Sequence, residues 1–235
     1  MKTFILAGGE GTRMRPYTYE LPKPMLPMGA EKKPILYYVV KNLKRNGLAD
    51  YIITAGYMSE RIEEYFGDGS KFGVKIEYSI ETEKLNTAGS IFPLKDRVDG
   101  TFVVVMGDHI TNIDLKEMVE QHKKSGCIAT IALLKGGFPL EYGIAEVDDK
   151  NHVVKFREKP MIENLYNVAI YVFEPKIFDY IKEKDDFARN VFPRMLEKKE
   201  KINAYVFKKI WHDIGRVVDY EKLNKELDMK KIFMD

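Results

Sequence analysis

Leu6-Ala7-Gly8-Gly9-Glu10-Gly11-Thr12-Arg13-Met14-Arg15-Pro16 is the stretch whose reading decides the fold. Thr3 to Ala7 is an apolar run that predicts a buried strand, and it ends in Gly8, Gly9 and Gly11. Such a turn exposes backbone N–H groups at close range. Phosphates bind there because the amides donate hydrogen bonds and no Cβ blocks their approach. Three phosphate-loop classes compete for the pattern. A dinucleotide fingerprint needs a small residue where Met14 stands, so it fails. A Walker loop needs Gly-Lys followed by Ser or Thr, which Gly11-Thr12-Arg13 does not supply. The remaining class adds an Arg to the loop and a Lys after a proline-containing stretch. Here these are Arg13 and Lys23, the latter between Pro22 and Pro24.

Downstream of the loop, strand and helix patterns alternate. Ile35, Leu36, Val39, Val40 and Leu43 recur at helical spacing after Pro34, and Gly47 is a natural stop. Strands are expected at Tyr51 to Ala55 and Val74 to Tyr78, with a helix between them over Glu60 to Phe66. Thr87 is expected to cap a short helix through Phe92. Phe102 to Met106 is a continuous apolar run, typical of a strand buried on both faces. Asp114, with Glu117 three residues later, predicts a capped helix to about Lys124. Ile128 to Leu134 reads as another buried strand. This rhythm argues for a mostly parallel sheet with helices on both faces.

After Gly136-Gly137 the pattern changes. Tyr142 to Val147 and His152 to Arg157 read as a hairpin about Asp148 to Asn151. Further strands are expected at Asn167 to Phe173 and Ile202 to Phe207. Helices are expected near Lys176 to Lys182, Val191 to Lys199 and Val217 to Leu227. No linker or repeat interrupts the chain. The expectation is one domain over 1–235, with a nucleotide-binding half of about 1–110 and a sugar-binding half of about 111–235.

The 235 residues, 45% of them apolar, suit a core of ordinary size. A net charge of +2 gives no sign of a nucleic-acid or membrane surface. Any positive field must be local. Cys127 is the single cysteine, so neither an intrachain disulfide nor a cysteine-rich zinc site can form. His109, His122, His152 and His212 show no metal-ligand spacing. The N-terminal apolar run is too short for a signal peptide, and no run approaches the roughly 18 residues of a membrane span. A soluble, cytoplasmic protein is expected, with homo-oligomerisation left open.

The stretch Leu6 to Pro27 resembles the signature of the nucleotidyltransferase family that makes NDP-sugars, mannose-1-phosphate guanylyltransferases among them. The resemblance continues through Gly107-Asp108, Tyr142-Gly143, Glu158-Lys159-Pro160, Asn167 and Trp211-His212-Asp213-Ile214-Gly215. It implies a Rossmann-like α/β/α sandwich. Some members carry a further C-terminal β-helix, for which this chain is expected to be too short. It also implies conversion of a nucleoside triphosphate and a sugar 1-phosphate to an NDP-sugar and pyrophosphate. Such transfer needs charge neutralisation and alignment more than a covalent nucleophile.

On this resemblance, Leu6, Ala7, Gly8, Gly9, Gly11, Thr12, Arg13, Asn86 and Thr87 bind the nucleotide. Arg13 meets the leaving β- and γ-phosphates, and Lys23 sits on the α-phosphate, where transition-state charge builds. Asp108 and Asp213 are the expected Mg²⁺ ligands, Asp108 counting also as catalytic; two hard oxygen ligands plus phosphates suit that ion. Gly143, Glu158, Lys159 and Asn167 are expected at the sugar phosphate. His212 is expected to be structural. Three departures stand out: Ala169 and Asn86 occupy positions where the family usually has Gly, and Arg216 one where Thr is common.

The base is read from Glu81. Thymidylyl and uridylyl members have Gln at the matching place, which can donate and accept as uracil and thymine require. An ionised Glu only accepts, and it suits the paired N1–H and N2–H₂ donors of guanine. GTP and mannose 1-phosphate are therefore the expected substrates. Glucose 1-phosphate with dTTP or UTP is the alternative, and a non-catalytic NDP-sugar-binding relative a second.

Overall fold

The first strand shows why two helical layers are needed. In β1 (Lys2–Ala7), Phe4 and Leu6 belong to one apolar cluster and Ile5 and Ala7 to another. Side chains alternate across a strand, so both faces of β1 are buried.

The computed structural model describes residues 1–233. After β1 come a short ladder of β2 (Pro27–Met28) with β3 (Lys33–Pro34), then α1 (Ile35–Arg45), β4 (Asp50–Ala55) and α2 (Ser59–Phe66). β5 (Lys75–Ile80), the single-turn α3 (Asn86–Gly89), β6 (Phe102–Met106), β7 (His109–Thr111) and α4 (Leu115–Ser125) follow. The remainder carries β8 (Ala129–Pro139), β9 (Ile144–Val147), β10 (Val153–Arg157) and β11 (Met161–Phe173). It closes with α5 (Phe192–Glu197), β12 (Ile202–Phe207), β13 (Trp211–Asp213), α6 (Val217–Glu226) and α7 (Met229–Phe233).

Seven strands form one sheet in the order β12-β8-β11-β6-β1-β4-β5. β1 pairs parallel with β4 and β6, β4 with β5, and β8 with β12. Only β11 runs against its neighbours, β6 and β8. The result is the mixed, mostly parallel Rossmann-like sandwich that was expected, and no β-helix occurs among the described residues. No helix among those residues is long and apolar enough to cross a membrane.

On one face Leu36, Val40, Ile62, Phe66 and Met118 from α1, α2 and α4 cover Ile5, Ile53 and Val103. On the other, Phe187, Phe192 and Met195 cover Phe4, Phe102 and Val104. The Asp114 side chain accepts from the Glu117 N–H at 2.9 Å, which starts α4 as predicted. A third, smaller cluster joins Met14, Leu26, Met28, Ile110 and Ile214 to Tyr220 and Met229 of α6 and α7. It fastens the C-terminal helices over the glycine-rich loop.

Several elements differ from expectation. α3 begins at Asn86, and the Thr87 hydroxyl turns instead to Asp186 at 2.9 Å. The stretch near Lys176 is a 3₁₀ turn over Pro175–Tyr180, and a π turn over Phe187–Val191 leads into α5. β8 and β11 outrun their apolar cores and pair from Ala129↔Phe173 to Pro139↔Met161, with a register shift between Asn167 and Tyr171. Ala169 lies in that shift with φ +53°, and Asn86 has φ +60°. Both departures from the family's glycines thus fall at left-handed backbone, the conformation glycine adopts without strain.

Candidate active site

The loop is shaped by Gly11 and Met14. Gly11 has φ +63°, and a Cβ there would lie 2.9 Å from Thr18 Cγ2 and 3.2 Å from Lys23 Cβ. Only glycine satisfies both the backbone and the close approach. The Thr18 hydroxyl donates to the Gly11 carbonyl at 2.9 Å. The next turn, Thr12–Met14, buries Met14 completely in the third cluster and leaves Arg13 and Thr12 exposed. The residue that ruled out a dinucleotide fingerprint is therefore the anchor that turns Arg13 outward.

Lys23 lies in a 3₁₀ turn between Pro22 and Pro24, and the adjoining Met25 and Leu26 are drawn into the core. It is only 8% exposed. A buried ammonium requires partners. Its Nζ lies 2.6 Å from Asp108 Oδ2 and 3.4 Å from Asp213 Oδ1.

Asp108 arrives from the end of β6. The Gly107 N–H donates to the Leu6 carbonyl at 2.9 Å, and a Cβ on Gly107 would stand 3.2 Å from that oxygen. Glycine thus lets the chain leave β6 tight against β1. The connections from β1 run to β4 on one side and return to β6 on the other. Open α/β sheets bind ligands in the crevice at such a reversal. Asp213 comes from far along the chain by a different route. β7 and β13 form a two-stranded antiparallel ribbon in which Asp213 faces His109 and Trp211 faces Thr111. Ile110, the middle residue of β7, and Ile214, directly after β13, are both fully buried in the third cluster and anchor the ribbon.

Burial pushes the Asp108 carboxyl up, but the positive charge of the His109 ring when it is protonated and of the Lys23 ammonium outweighs this and holds its pKa below the usual carboxylate range. Asp108 Oδ1 is buried and makes no hydrogen bond. An acceptor left open beside a second carboxylate is what a divalent cation needs. Among the described residues no group of three or more Asp, Glu, His and Cys forms a metal cluster. One or two carboxylates, completed by phosphate oxygens and water, is the usual Mg²⁺ arrangement, so the donor set fits that ion.

Beside Asp213 opens a cleft of about 540 Å³ lined by Arg13, Trp211, Arg216 and Lys222. Asp219 and Glu226 also line it, and Arg216 is held by Asp219 at 2.8 and 3.3 Å. His212, half-buried, faces this cleft, and burial lowers its pKa.

Glu81 reaches the other side of the loop. A Cβ on Gly8 would lie 2.8 Å from Glu81 Oε2. Burial raises the Glu81 pKa, and the Leu85 N–H opposes the rise. The side chains of Asn86 and Thr87 also bond to a distant segment. The Asn86 amide donates to the Lys184 carbonyl at 2.7 Å, and the Thr87 hydroxyl accepts from the Phe187 N–H at 2.9 Å. Their side chains tie α3 to the 184–187 segment.

Of the expected sugar residues, Gly143 precedes β9, Glu158 and Lys159 follow β10, and Asn167 lies on β11. Gly143 and Glu158 meet: a Cβ on Gly143 would come within 2.6 Å of Glu158 Oε2. Lys159 follows with φ +41° and is exposed. Asn167 clasps the register shift in β11. Its Oδ1 accepts from the Ala169 N–H at 2.9 Å and its Nδ2 donates to the Tyr171 hydroxyl at 3.1 Å. No hydrogen bond or ion pair among the described residues joins this group to Lys23 and Asp108. The residues that sequence reasoning missed are His109 and Trp211, which hydrogen-bond to each other beside the carboxylates. The one signal for His109 was its place next to Asp108.

Known proteins resemble the chain in sequence and in fold. A family model described as nucleotidyl transferase matches residues 2–230. The chain is 35% identical over 242 residues to a UTP-glucose-1-phosphate uridylyltransferase of Synechocystis sp., covering 94% of this chain and 61% of that protein. It is 33% identical over 230 residues to a mannose-1-phosphate guanylyltransferase of Mycobacterium tuberculosis, covering 95% and 63%. The chain thus spans about three fifths of the length of these curated relatives. Among solved structures it resembles HddC of Yersinia pseudotuberculosis complexed with GMP-PN, with TM-score 0.74, 25% identity and 96% and 98% of the two chains covered. It also resembles a Bacillus anthracis protein assigned as a glucose-1-phosphate thymidylyltransferase and solved with sucrose. That match has TM-score 0.77, 27% identity and 99% and 98% coverage.

Proposed function

Since this chain belongs to the nucleotidyl transferase family, we propose that it joins a nucleoside triphosphate to a sugar 1-phosphate and releases pyrophosphate, with GTP and mannose 1-phosphate as the pair. The observation that carries the reading is Lys23, buried at the glycine-rich loop between Asp108 and Asp213. A phosphate oxygen of the sugar phosphate attacks the α-phosphorus of the triphosphate. The bond from that phosphorus to the oxygen bridging to the β-phosphate breaks, and pyrophosphate leaves with the electron pair.

The chain's own groups do the following. The loop amides from Gly8 to Gly11 donate to phosphate oxygens. Arg13, exposed at the cleft, neutralises the charge that builds on the departing β- and γ-phosphates. Lys23 meets the α-phosphate. Asp108 and Asp213 would hold Mg²⁺, which when bound would supply positive charge to offset that of the reacting phosphates. Glu158 accepts sugar hydroxyl hydrogens, and Lys159 holds the sugar phosphate. The choice of GTP rests on Glu81, an acceptor set against the loop where the base would lie.

The test is a matrix of four nucleoside triphosphates against a panel of sugar 1-phosphates with Mg²⁺, read by pyrophosphate release. GTP with mannose 1-phosphate should turn over fastest. A maximum with UTP or dTTP and glucose 1-phosphate would reassign the pair and keep the reaction. No release with any pair would leave a non-catalytic binding protein.

A further inference from the structure

His109 faces both candidate metal carboxylates. Its Nε2 lies 3.6 Å from Asp108 Oδ1 and 3.7 Å from Asp213 Oδ1. Its Nδ1 accepts a hydrogen bond from the Trp211 indole N–H at 3.3 Å. The two rings meet edge to face, with centroids 5.2 Å apart and planes at 83°. An indole N–H can only donate. Nδ1 therefore carries the lone pair, and this hydrogen bond assigns the ring proton to Nε2, on the side of the carboxylates. The β7–β13 ribbon enforces the arrangement, because His109 and Asp213 are direct cross-strand partners. The imidazole is buried, so it has little freedom to turn away.

Lys23 contacts Asp108 through Oδ2, whereas His109 faces Oδ1. The ammonium and the imidazole thus stand at different oxygens of the Asp108 carboxylate, the ammonium in direct contact and the imidazole just beyond hydrogen-bond distance.

We propose that His109 is a positioning residue that holds Asp108 and Asp213 ready for the metal, and that Trp211 acts through it by fixing its tautomer and ring plane. This rests on the reading of the two aspartates as Mg²⁺ ligands. Partners that orient ligating groups typically matter about 10- to 100-fold in metal affinity.

The experiment measures Mn²⁺ binding to the substrate-free protein by the electron paramagnetic resonance of free Mn²⁺. His109→Phe keeps a ring and removes the donor, and should weaken binding roughly tenfold or more. His109→Gln replaces Nε2–H with an amide N–H and should stay within about threefold. Trp211→Phe keeps the ring packing and loses the N–H, and should weaken binding by about three- to tenfold. The double variant His109→Phe, Trp211→Phe should bind no more weakly than His109→Phe alone, because Trp211 acts through His109. In transfer assays the KM for Mn²⁺ should rise in the same order, with kcat at saturating metal largely kept.

Unchanged Mn²⁺ binding in Trp211→Phe, or losses that multiply in the double variant, would overturn the proposal while leaving the metal reading intact. So would equal losses in the Phe and Gln variants of His109. Absence of Mn²⁺ binding by the unsubstituted protein would overturn the metal reading itself. Should His109→Phe not fold, the contrast between Trp211→Phe and His109→Gln decides the matter.

Discussion

Lys23 Nζ lies 2.6 Å from Asp108 Oδ2, and this buried ion pair closes the crevice between the glycine-rich loop and the end of β6. The pair gives Lys23 two tasks. It neutralises Asp108 in the free protein, and it must be available to a phosphate during reaction.

Lys23→Met should separate those tasks. Losing a donor aimed at transition-state charge should lower kcat roughly 10²-fold or more, with the KM for nucleotide changed far less. It also leaves Asp108 buried without its cation, so thermal stability should fall in EDTA and recover in part with Mg²⁺. Steady-state kinetics and melting curves with and without metal provide the check. An unchanged kcat would show that the loop lysine has been misassigned.

Glu81→Gln should narrow or reverse the preference for GTP over dTTP. A mismatched donor or acceptor in a partly buried site costs about 1–3 kcal/mol, or roughly ten- to a hundredfold in kcat/KM. Burial raises the Glu81 pKa, so its proton returns at a higher pH than that of an ordinary glutamate. Once protonated, it can donate to a uracil or thymine carbonyl. The GTP/dTTP ratio of the unsubstituted enzyme should therefore shrink as pH falls, and that of the Gln variant should not. A ratio that moves less than about twofold on substitution would remove Glu81 as the discriminator.

Asn167→Ala should reveal a structural role first. The Asn167 amide is the donor to the hydroxyl of Tyr171, a residue only 3% exposed, and its carbonyl holds the Ala169 N–H. Removing both bonds should cost about 1–3 kcal/mol in a urea titration. A rise in the KM for sugar 1-phosphate with no loss of stability would contradict this and make Asn167 purely a substrate contact.

His122 should make stability depend on pH. Its imidazole is buried, with Nδ1 2.7 Å from Thr130 Oγ1 and Nε2 3.1 Å from Glu174 Oε1, and burial lowers its pKa despite Glu174. Above the ordinary histidine value of about 6.5, both the folded and unfolded forms are neutral and the full stability is present. As pH falls below that value the unfolded chain takes up the proton first, so stability is lost until the folded pKa is reached. Subtracting the pH profile of His122→Gln, which shares every other titrating group, should leave this slope. A flat difference between pH 8 and 5 would contradict it.

The parts that were legible in the sequence are those with strong local signals. The apolar runs of β1, β6 and β12 and the Asp114 cap of α4 needed no tertiary information. The pairing of Lys23 with Asp108 and Asp213 was anticipated only as shared membership of one motif set. The β7–β13 ribbon was not legible, because three residues on each strand are too few to display alternation. The outer reaches of β8 and β11 are held by backbone pairing rather than by an apolar face, so the pattern of Met161 to Tyr166 gave no strand signal. Asn86 and Thr87 were read as nucleotide contacts. Their use in fastening α3 to the 184–187 segment depends on residues a hundred positions away and could not be seen locally.

The central claim is a metal-dependent transfer between two substrates, and pyrophosphate release tests it most directly. The purified protein is given GTP alone, GTP with mannose 1-phosphate, and both with excess EDTA. Pyrophosphate should appear only when nucleotide, sugar phosphate and metal are all present, in equal amount to the GDP-sugar formed. Release from GTP alone, or full activity in EDTA, would contradict the account.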